Sequence, residues 1–345
     1  MGPVEQGSVP VSGQTVVVIG HGGPLGRRLV ALAAADDQVG RVVTLDVASD
    51  AEVKTALSQA DVVVHLGSPG ETAPDGLPGS DVAGVRTMLD AAAANVVPRV
   101  VILSSAVVYG AWPNNPVPLT EEAPLRPEPG FEYAAERTEV ERLALDWRRD
   151  HPDARVAMLR ATVSVDAASA PWLAVSPWSA KAVRVSGSGR PSQFLHLDDL
   201  AAAIDHARRE RLDGAYNVAP DGWLSSDALA ELAGPVRRLH LPAGWVPRLR
   251  SLRARVGLSG PPAGTTYTEE SWVVANDRLR ATGWEPALRS DEVYVEADPG
   301  GPLASMSPRR RQELSLAGVV VALVGAVGGV VWVLRRRHRR ARSSD

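Results

Sequence analysis

The chain has 345 residues, 45% of them hydrophobic and 22% charged, a balance that supports a folded globular core. A net charge of −3 leaves no electrostatic footprint for nucleic acid, so no nucleic-acid partner is expected. There is no cysteine, which excludes disulfides, thiolate chemistry and cysteine-ligated metals.

The opening "MGPVEQGSVPVSGQ" has neither a basic n-region nor an apolar run, so it reads as no signal peptide, and residues 1–13 are expected to be a flexible lead-in. Strand and helix then alternate. "TVVVIG" (15–20) is a short apolar strand, "PLGRRLVALAAA" (24–35) a helix, "RVVTLD" (41–46) a second strand and "DVVVHLG" (61–67) a third. "VAGVRTMLDAAAANV" (82–96) reads as a helix, with further strands at "RVVILSS" (99–105) and "RVAMLRA" (155–161). Continuous β-branched runs between helices point to a parallel sheet covered on both faces over residues 14–164. Between residues 46 and 64 the chain passes almost directly from the second strand into a helix. A complete sheet of this type would hold another strand there.

Residues 165–297 are more broken and rich in Pro, Gly and Trp, as expected of a smaller substrate lobe. Trp172 and Trp178 either line its cleft or fill its core. A linker (298–313) leads to "LSLAGVVVALVGAVGGVVWVL" (314–334), an uncharged run that spans roughly 31 Å as a helix and is expected to cross a lipid bilayer. Gly325 and Gly329 form a GxxxG pair that would let two such helices associate as a homodimer. The tail 335–345 carries six arginines, and by the positive-inside rule it would face the cytoplasm. With no export signal, the large N-terminal domain is itself expected in the cytoplasm, tethered to the cell membrane by a single pass.

Two features carry binding chemistry. Gly20, Gly23 and Gly26 form GxxGxxG between a strand and a helix, where residues without Cβ let backbone amides and a helix N-terminus approach a pyrophosphate. Asp46, at the end of the next strand, stands where a carboxylate would accept both adenosine ribose hydroxyls, which favours NAD over its 2′-phosphorylated form. His196, Asp198 and Asp199 could suggest a metal, and no other His/Asp/Glu grouping has ligand spacing.

The motifs in order resemble the extended short-chain dehydrogenase/reductase family, in its NAD-dependent sugar epimerase/dehydratase group. They are GxxGxxG at 20–26, "DVVVHLG" at 61–67, "VILSSAVVYG" at 101–110, "FLHLDDLAAAI" at 194–204, "GAYNVAPDG" at 214–222 and "RLRATGWEP" at 278–286. The resemblance covers roughly residues 14–297. It implies an α/β fold, a Rossmann-type doubly wound parallel sheet with a smaller C-terminal substrate lobe, holding NAD and acting on a nucleotide-sugar or related alcohol. For His196, Asp198 and Asp199, which fall within "FLHLDDLAAAI", it implies a structural or substrate-lining role, so no metal is expected. It also implies that Ser105 bonds the reacting oxygen and that Tyr133 exchanges its proton. Arg137 stands where the family keeps a lysine that bonds the nicotinamide ribose and lowers the tyrosine pKa. A guanidinium keeps that charge but is planar and differently directed. Asp81 replaces a structural asparagine, and His65 is expected to be positional. The helix "EYAAERTEVER" around Tyr133 would equally suit a solvated face. Two functions follow: a membrane-tethered oxidoreductase, or a dinucleotide-binding sensor or scaffold that has lost catalysis.

Overall fold

The structure, a computed structural model, describes residues 13–46, 49–165, 183–185, 191–232, 239–241, 265–268 and 270–296. Its centre is a six-stranded sheet in which every neighbouring pair is parallel. The first five elements are β1 (Gln14–Ile19), α1 (Pro24–Ala34), β2 (Val39–Leu45), α2 (Asp50–Leu57) and β3 (Val62–His65). A small antiparallel hairpin, β4 (Ser68–Thr72) and β5 (Pro78–Gly79), precedes α3 (Val82–Ala94), β6 (Arg99–Ser105), α4 (Glu132–Asp150) and β7 (Arg155–Ala161). Beyond these lie two short parallel pairs: β8 (Ser164–Val165) with β10 (Leu195–His196), and β9 (Val183–Val185) with β12 (Leu239–Leu241). Helix α5 (Leu197–Arg209) and strand β11 (Gly214–Val218) complete the main sheet, whose order is β11-β7-β6-β3-β1-β2.

Alternation along each strand divides the core into two layers. Val16 and Val18 of β1 pack with Leu25 and Leu29 of α1 and with Leu200 and Ile204 of α5. Val17 and Ile19 point the other way, to Val53 and Leu57 of α2, Met88 of α3 and Val140 of α4. Both faces are thus buried, which is why the strands read as continuous apolar runs. The expected parallel sheet is present, and 195–218, sequence that was expected in the lobe, supplies one of its helices and one of its edge strands.

Sheet order reverses at β1: the chain moves outward to β2, then crosses back to β3 on the other side. That switch point opens a crevice at the carboxyl ends of β1 and β3, the usual ligand position in open α/β sheets. Among the described residues no strand lies beyond β2, in keeping with the shortened 46–64 connection. The uncovered margin leaves a cleft of about 390 Å³ between β2 and α2, lined by Arg41, Val43, Leu45, Glu52 and Thr55.

Among the described residues no helix is long and apolar enough to cross a membrane. The expected span at 314–334, its GxxxG pair and the basic tail lie outside the described residues, as do Trp172 and Trp178.

Candidate active site

The loop from Gly20 to Gly26 joins β1 to α1 at the switch point. Gly20 adopts φ +83°, and a Cβ there would lie 2.3 Å from the carbonyl oxygen of Gly67. A Cβ on Gly26 would lie 2.3 Å from the carbonyl oxygen of His21, so this glycine lets the first helical turn close on the loop. Gly23 differs from both. It is the N-cap of α1, has an ordinary φ of −83°, and faces open space with no atom within 4 Å of a built Cβ. Pro24 follows at the first helical position, where a missing N–H costs least. The space above Gly23, at a helix N-terminus, is the shape and polarity a pyrophosphate needs.

Asp46 closes the loop from the side. The Gly22 amide donates to its Oδ1 at 2.6 Å, and His21 Nδ1 lies 3.5 Å from the same oxygen. A Cβ at Gly22 would lie 2.3 Å from Oδ2. Gly22 is therefore part of the cradle, although the GxxGxxG register did not include it; the adjacent "HGG" was its only signal. The cradle and the carboxylate at the end of β2 fit the pyrophosphate and adenosine portions of a dinucleotide.

The three residues expected in the catalytic site do come together. Ser105 ends β6, and Tyr133 and Arg137 lie one turn apart on α4. Ser105 and Tyr133 meet at a residue that no motif singled out. Asp75, fully buried at the tip of the β4–β5 hairpin, accepts from Ser105 Oγ at 2.5 Å and from Tyr133 OH at 3.0 Å to each carboxylate oxygen. The Leu77 amide donates to Oδ1 at 3.2 Å, and the Ser164 amide donates to the Asp75 carbonyl at 2.7 Å. In the sequence, "APDGLPG" signals only a turn. Nothing local says where that turn docks.

Arg137 is almost wholly buried, and each of its nitrogens has a partner within the protein. Nε donates to Tyr133 OH at 3.2 Å, Nη1 to the Leu103 carbonyl at 2.7 Å, and Nη2 to the carbonyls of Pro78 and Gly79. Instead of reaching toward a ribose, the guanidinium clamps the base of the hairpin. The same charge lies 5.3 Å from the centre of the Tyr133 ring. The solvated alternative for this helix does not hold at Arg137 or at Glu141, both of which are buried.

Burial is the first cause of the altered titration here. It raises the Tyr133 phenol above its ordinary range, with Asp75 adding to the rise and Arg137 opposing it. It also raises the Asp75 carboxyl, against the pull of the Ser105 hydrogen bond and the Arg137 charge. Asp81 moves the other way: its carboxyl is lowered chiefly by its interaction with His65, whose Nε2 lies 3.5 Å away. Asp81 also caps α3, accepting from the Gly84 amide at 2.8 Å, so it serves as a helix cap beside buried His65.

Neighbouring residues have structural work. Tyr109 OH donates to Asn217 at 2.7 Å and accepts from Arg160 at 2.7 Å, and burial pushes its phenol up to about 12. Arg160 pairs with fully buried Glu141 at 2.7 Å, and Glu141 also accepts from Ser104. His196 caps α5 by accepting from the Asp198 amide, whereas Asp199 turns away to accept from the amides of Ala287 and Leu288. Among the described residues no group of three or more His, Asp or Glu could hold a metal.

The fold is shared with known enzymes. A UDP-glucose 4-epimerase of Thermus thermophilus, solved with NAD, superposes with a TM-score of 0.59 at 18% identity, covering 84% of this chain and all of its own. A short-chain dehydrogenase/reductase superfamily protein of Agrobacterium tumefaciens, solved with bound NAD, gives a TM-score of 0.60 at 21% identity, covering 88% of this chain and 99% of that one. In sequence, an uncharacterized protein of Mycobacterium tuberculosis is 27% identical over 155 residues, 45% of this chain; the match spans only 41% of that relative's length. The family model for the NAD dependent epimerase/dehydratase family matches residues 13–219, which take in the glycine loop, Asp46, Ser105, Tyr133 and Arg137, and the chain belongs to that family.

Proposed function

We propose that the chain is a membrane-tethered, NAD-dependent oxidoreductase that acts on the hydroxyl or carbonyl of a nucleotide-sugar or related alcohol. One observation carries this reading. Ser105 Oγ and Tyr133 OH, from different elements, converge on one oxygen, Asp75 Oδ2, at 2.5 and 3.0 Å. Two hydroxyls aimed at one oxygen are what an alcohol-handling site needs. The cofactor, when bound, supplies the hydride acceptor. Gly23 and the start of α1 would hold its pyrophosphate, and Asp46, positioned by the Gly22 amide, would hold its adenosine ribose. Ser105 donates to the substrate oxygen and fixes its position. Tyr133 takes the hydroxyl proton, and Arg137 beside it favours the phenolate. Family membership and the nucleotide-sugar enzymes that share the fold support the substrate class.

Residues 314–334 would hold this domain at the cytoplasmic face of the cell membrane. The full chain is then expected in the membrane fraction, and a chain ending at residue 297 in the soluble fraction. Recovery of both in the soluble fraction would remove the tether. For the chemistry, NAD binding is measured first, then turnover across nucleoside diphosphate sugars. Tyr133→Phe should bind NAD normally and lose about 10²–10⁴ in rate, the scale of acid–base catalysis. Unchanged turnover would take Tyr133 out of the mechanism.

A second reading, a dinucleotide-binding sensor or scaffold without turnover, draws on two observations. Asp75 fills the oxygen position, and Arg137 spends both Nη groups on backbone carbonyls. NAD binding with no turnover of any sugar, in the wild type or in Asp75→Ala, would favour it.

A further inference from the structure

The β4–β5 hairpin touches the candidate site in two places at once. At its tip, Asp75 takes the hydrogen bonds of Ser105 at 2.5 Å and Tyr133 at 3.0 Å. At its base, the carbonyls of Pro78 and Gly79 take Nη2 of Arg137. Leu77 between them is fully buried in the core layer that includes Leu66 and Leu103. Asp75 itself has no exposed surface, so no substrate oxygen can reach Ser105 and Tyr133 while it stays in place. A carboxylate between two hydroxyl donors has the acceptor geometry of the substrate oxygen that those donors are shaped for.

We propose that the Ser68–Gly79 hairpin is an autoinhibitory strap in which Asp75 is an intramolecular stand-in for the substrate oxygen. Its withdrawal would expose the Ser105–Tyr133 pair and, in the same movement, free Arg137 to face the cofactor. The hairpin is attached through Gly67, which has φ +120°, and turns at Gly76, which has φ +85°; both are backbone states that glycine adopts without strain. The inference rests on the reading of Ser105 and Tyr133 as the oxygen-binding pair.

The test uses the full-length chain in detergent with saturating NAD and trifluoroethanol, an alcohol that resists oxidation, followed by its fluorine NMR line width. Asp75→Ala should broaden the line, whereas the wild type and Asp75→Asn, which keeps the shape of the strap, should not. Adding Tyr133→Phe to Asp75→Ala should abolish the broadening, placing the probe on that hydroxyl. Circular dichroism checks the fold. If the alanine variant does not fold, Asp75→Ser takes its place, because its short hydroxyl still satisfies one neighbour. Equal broadening in wild type and folded variant, or none in the variant, overturns the strap.

A second arm compares turnover of nucleoside diphosphate sugars, with at least a tenfold gain expected in Asp75→Ala over wild type. If the probe binds but no sugar is turned over by either protein, the strap stands and the oxidoreductase reading falls. If wild type and variant turn over a sugar equally, that reading stands and the strap falls.

Discussion

Gly23, at the N-cap of α1, and Gly26, in its first turn, lie three residues apart yet are glycine for different reasons. A methyl on Gly26 would press into the His21 backbone, whereas one on Gly23 would meet no protein atom within 4 Å. Gly26→Ala should therefore cost about 1–3 kcal/mol of stability by overpacking. Gly23→Ala meets no neighbour and should cost only what a poorer N-cap costs, about 1 kcal/mol. Its methyl projects where a pyrophosphate would approach, so NAD affinity should fall about tenfold, equivalent to about 1.4 kcal/mol. Thermal unfolding and NAD titration on both variants separate the two effects; a Gly23→Ala chain that binds NAD like wild type would move the cofactor off this loop. Asp75 carries a second prediction at this scale. Its carboxyl ionises near 3.8 when unfolded and at higher pH when buried. The folded state holds that proton more tightly, so the stability it contributes is complete below the unfolded value and is lost as pH climbs through the folded one. The stability of wild type minus that of Asp75→Asn should therefore fall as pH rises above about 4, followed by urea unfolding. A flat or rising difference would mean that Asp75 is not held in a desolvated setting.

Helix α4 concentrates the chemistry because Tyr133, Arg137 and Glu141 follow at i, i+4 and i+8, a single stripe turned toward the sheet. Tyr133 and Arg137 hold the hairpin, and Glu141 is held by Arg160 from β7 and by Ser104 from β6. Arg160→Met removes the guanidinium and leaves a fully buried carboxylate unpaired, so about 3–5 kcal/mol of stability should be lost. Glu141→Gln added to Arg160→Met should recover a large part of it, and a double variant no more stable than the single would show that lost packing, not the bare charge, sets the cost. At the element scale much was legible in the sequence. The apolar runs gave β1, β2, β3, β6 and β7 to within two residues, whereas the charged composition of α4 left open whether Tyr133 and Arg137 face the sheet or solvent. What stayed hidden was tertiary. "APDGLPG" encodes a turn by its own residues, but the docking of that turn beneath Ser105 depends on contacts with α4 and β8, far along the chain. For the same reason α5 and β11 read as parts of a lobe: a strand's sheet partners do not show in its own composition.

For the whole molecule, the margin beyond β2 decides more than the outline of the sheet. One strand fewer stands beside Asp46, at the end of the crevice where the adenosine of a dinucleotide would lie. A site walled on fewer sides makes fewer contacts and lets its ligand leave sooner, since most differences in affinity are differences in dissociation rate. A rearrangement that oxidises a sugar and then reduces it must keep the same hydride carrier from start to finish. A protein that releases its carrier after the first half can carry out only that half. The truncated margin thus predicts a consumable co-substrate and a ketone or aldehyde product. Freshly purified protein should hold no dinucleotide, and a productive sugar should yield one NADH for each molecule oxidised, followed by absorbance. Stoichiometric NAD retained through gel filtration, with isomerised sugar and no net NADH, would show instead that the missing strand is cosmetic.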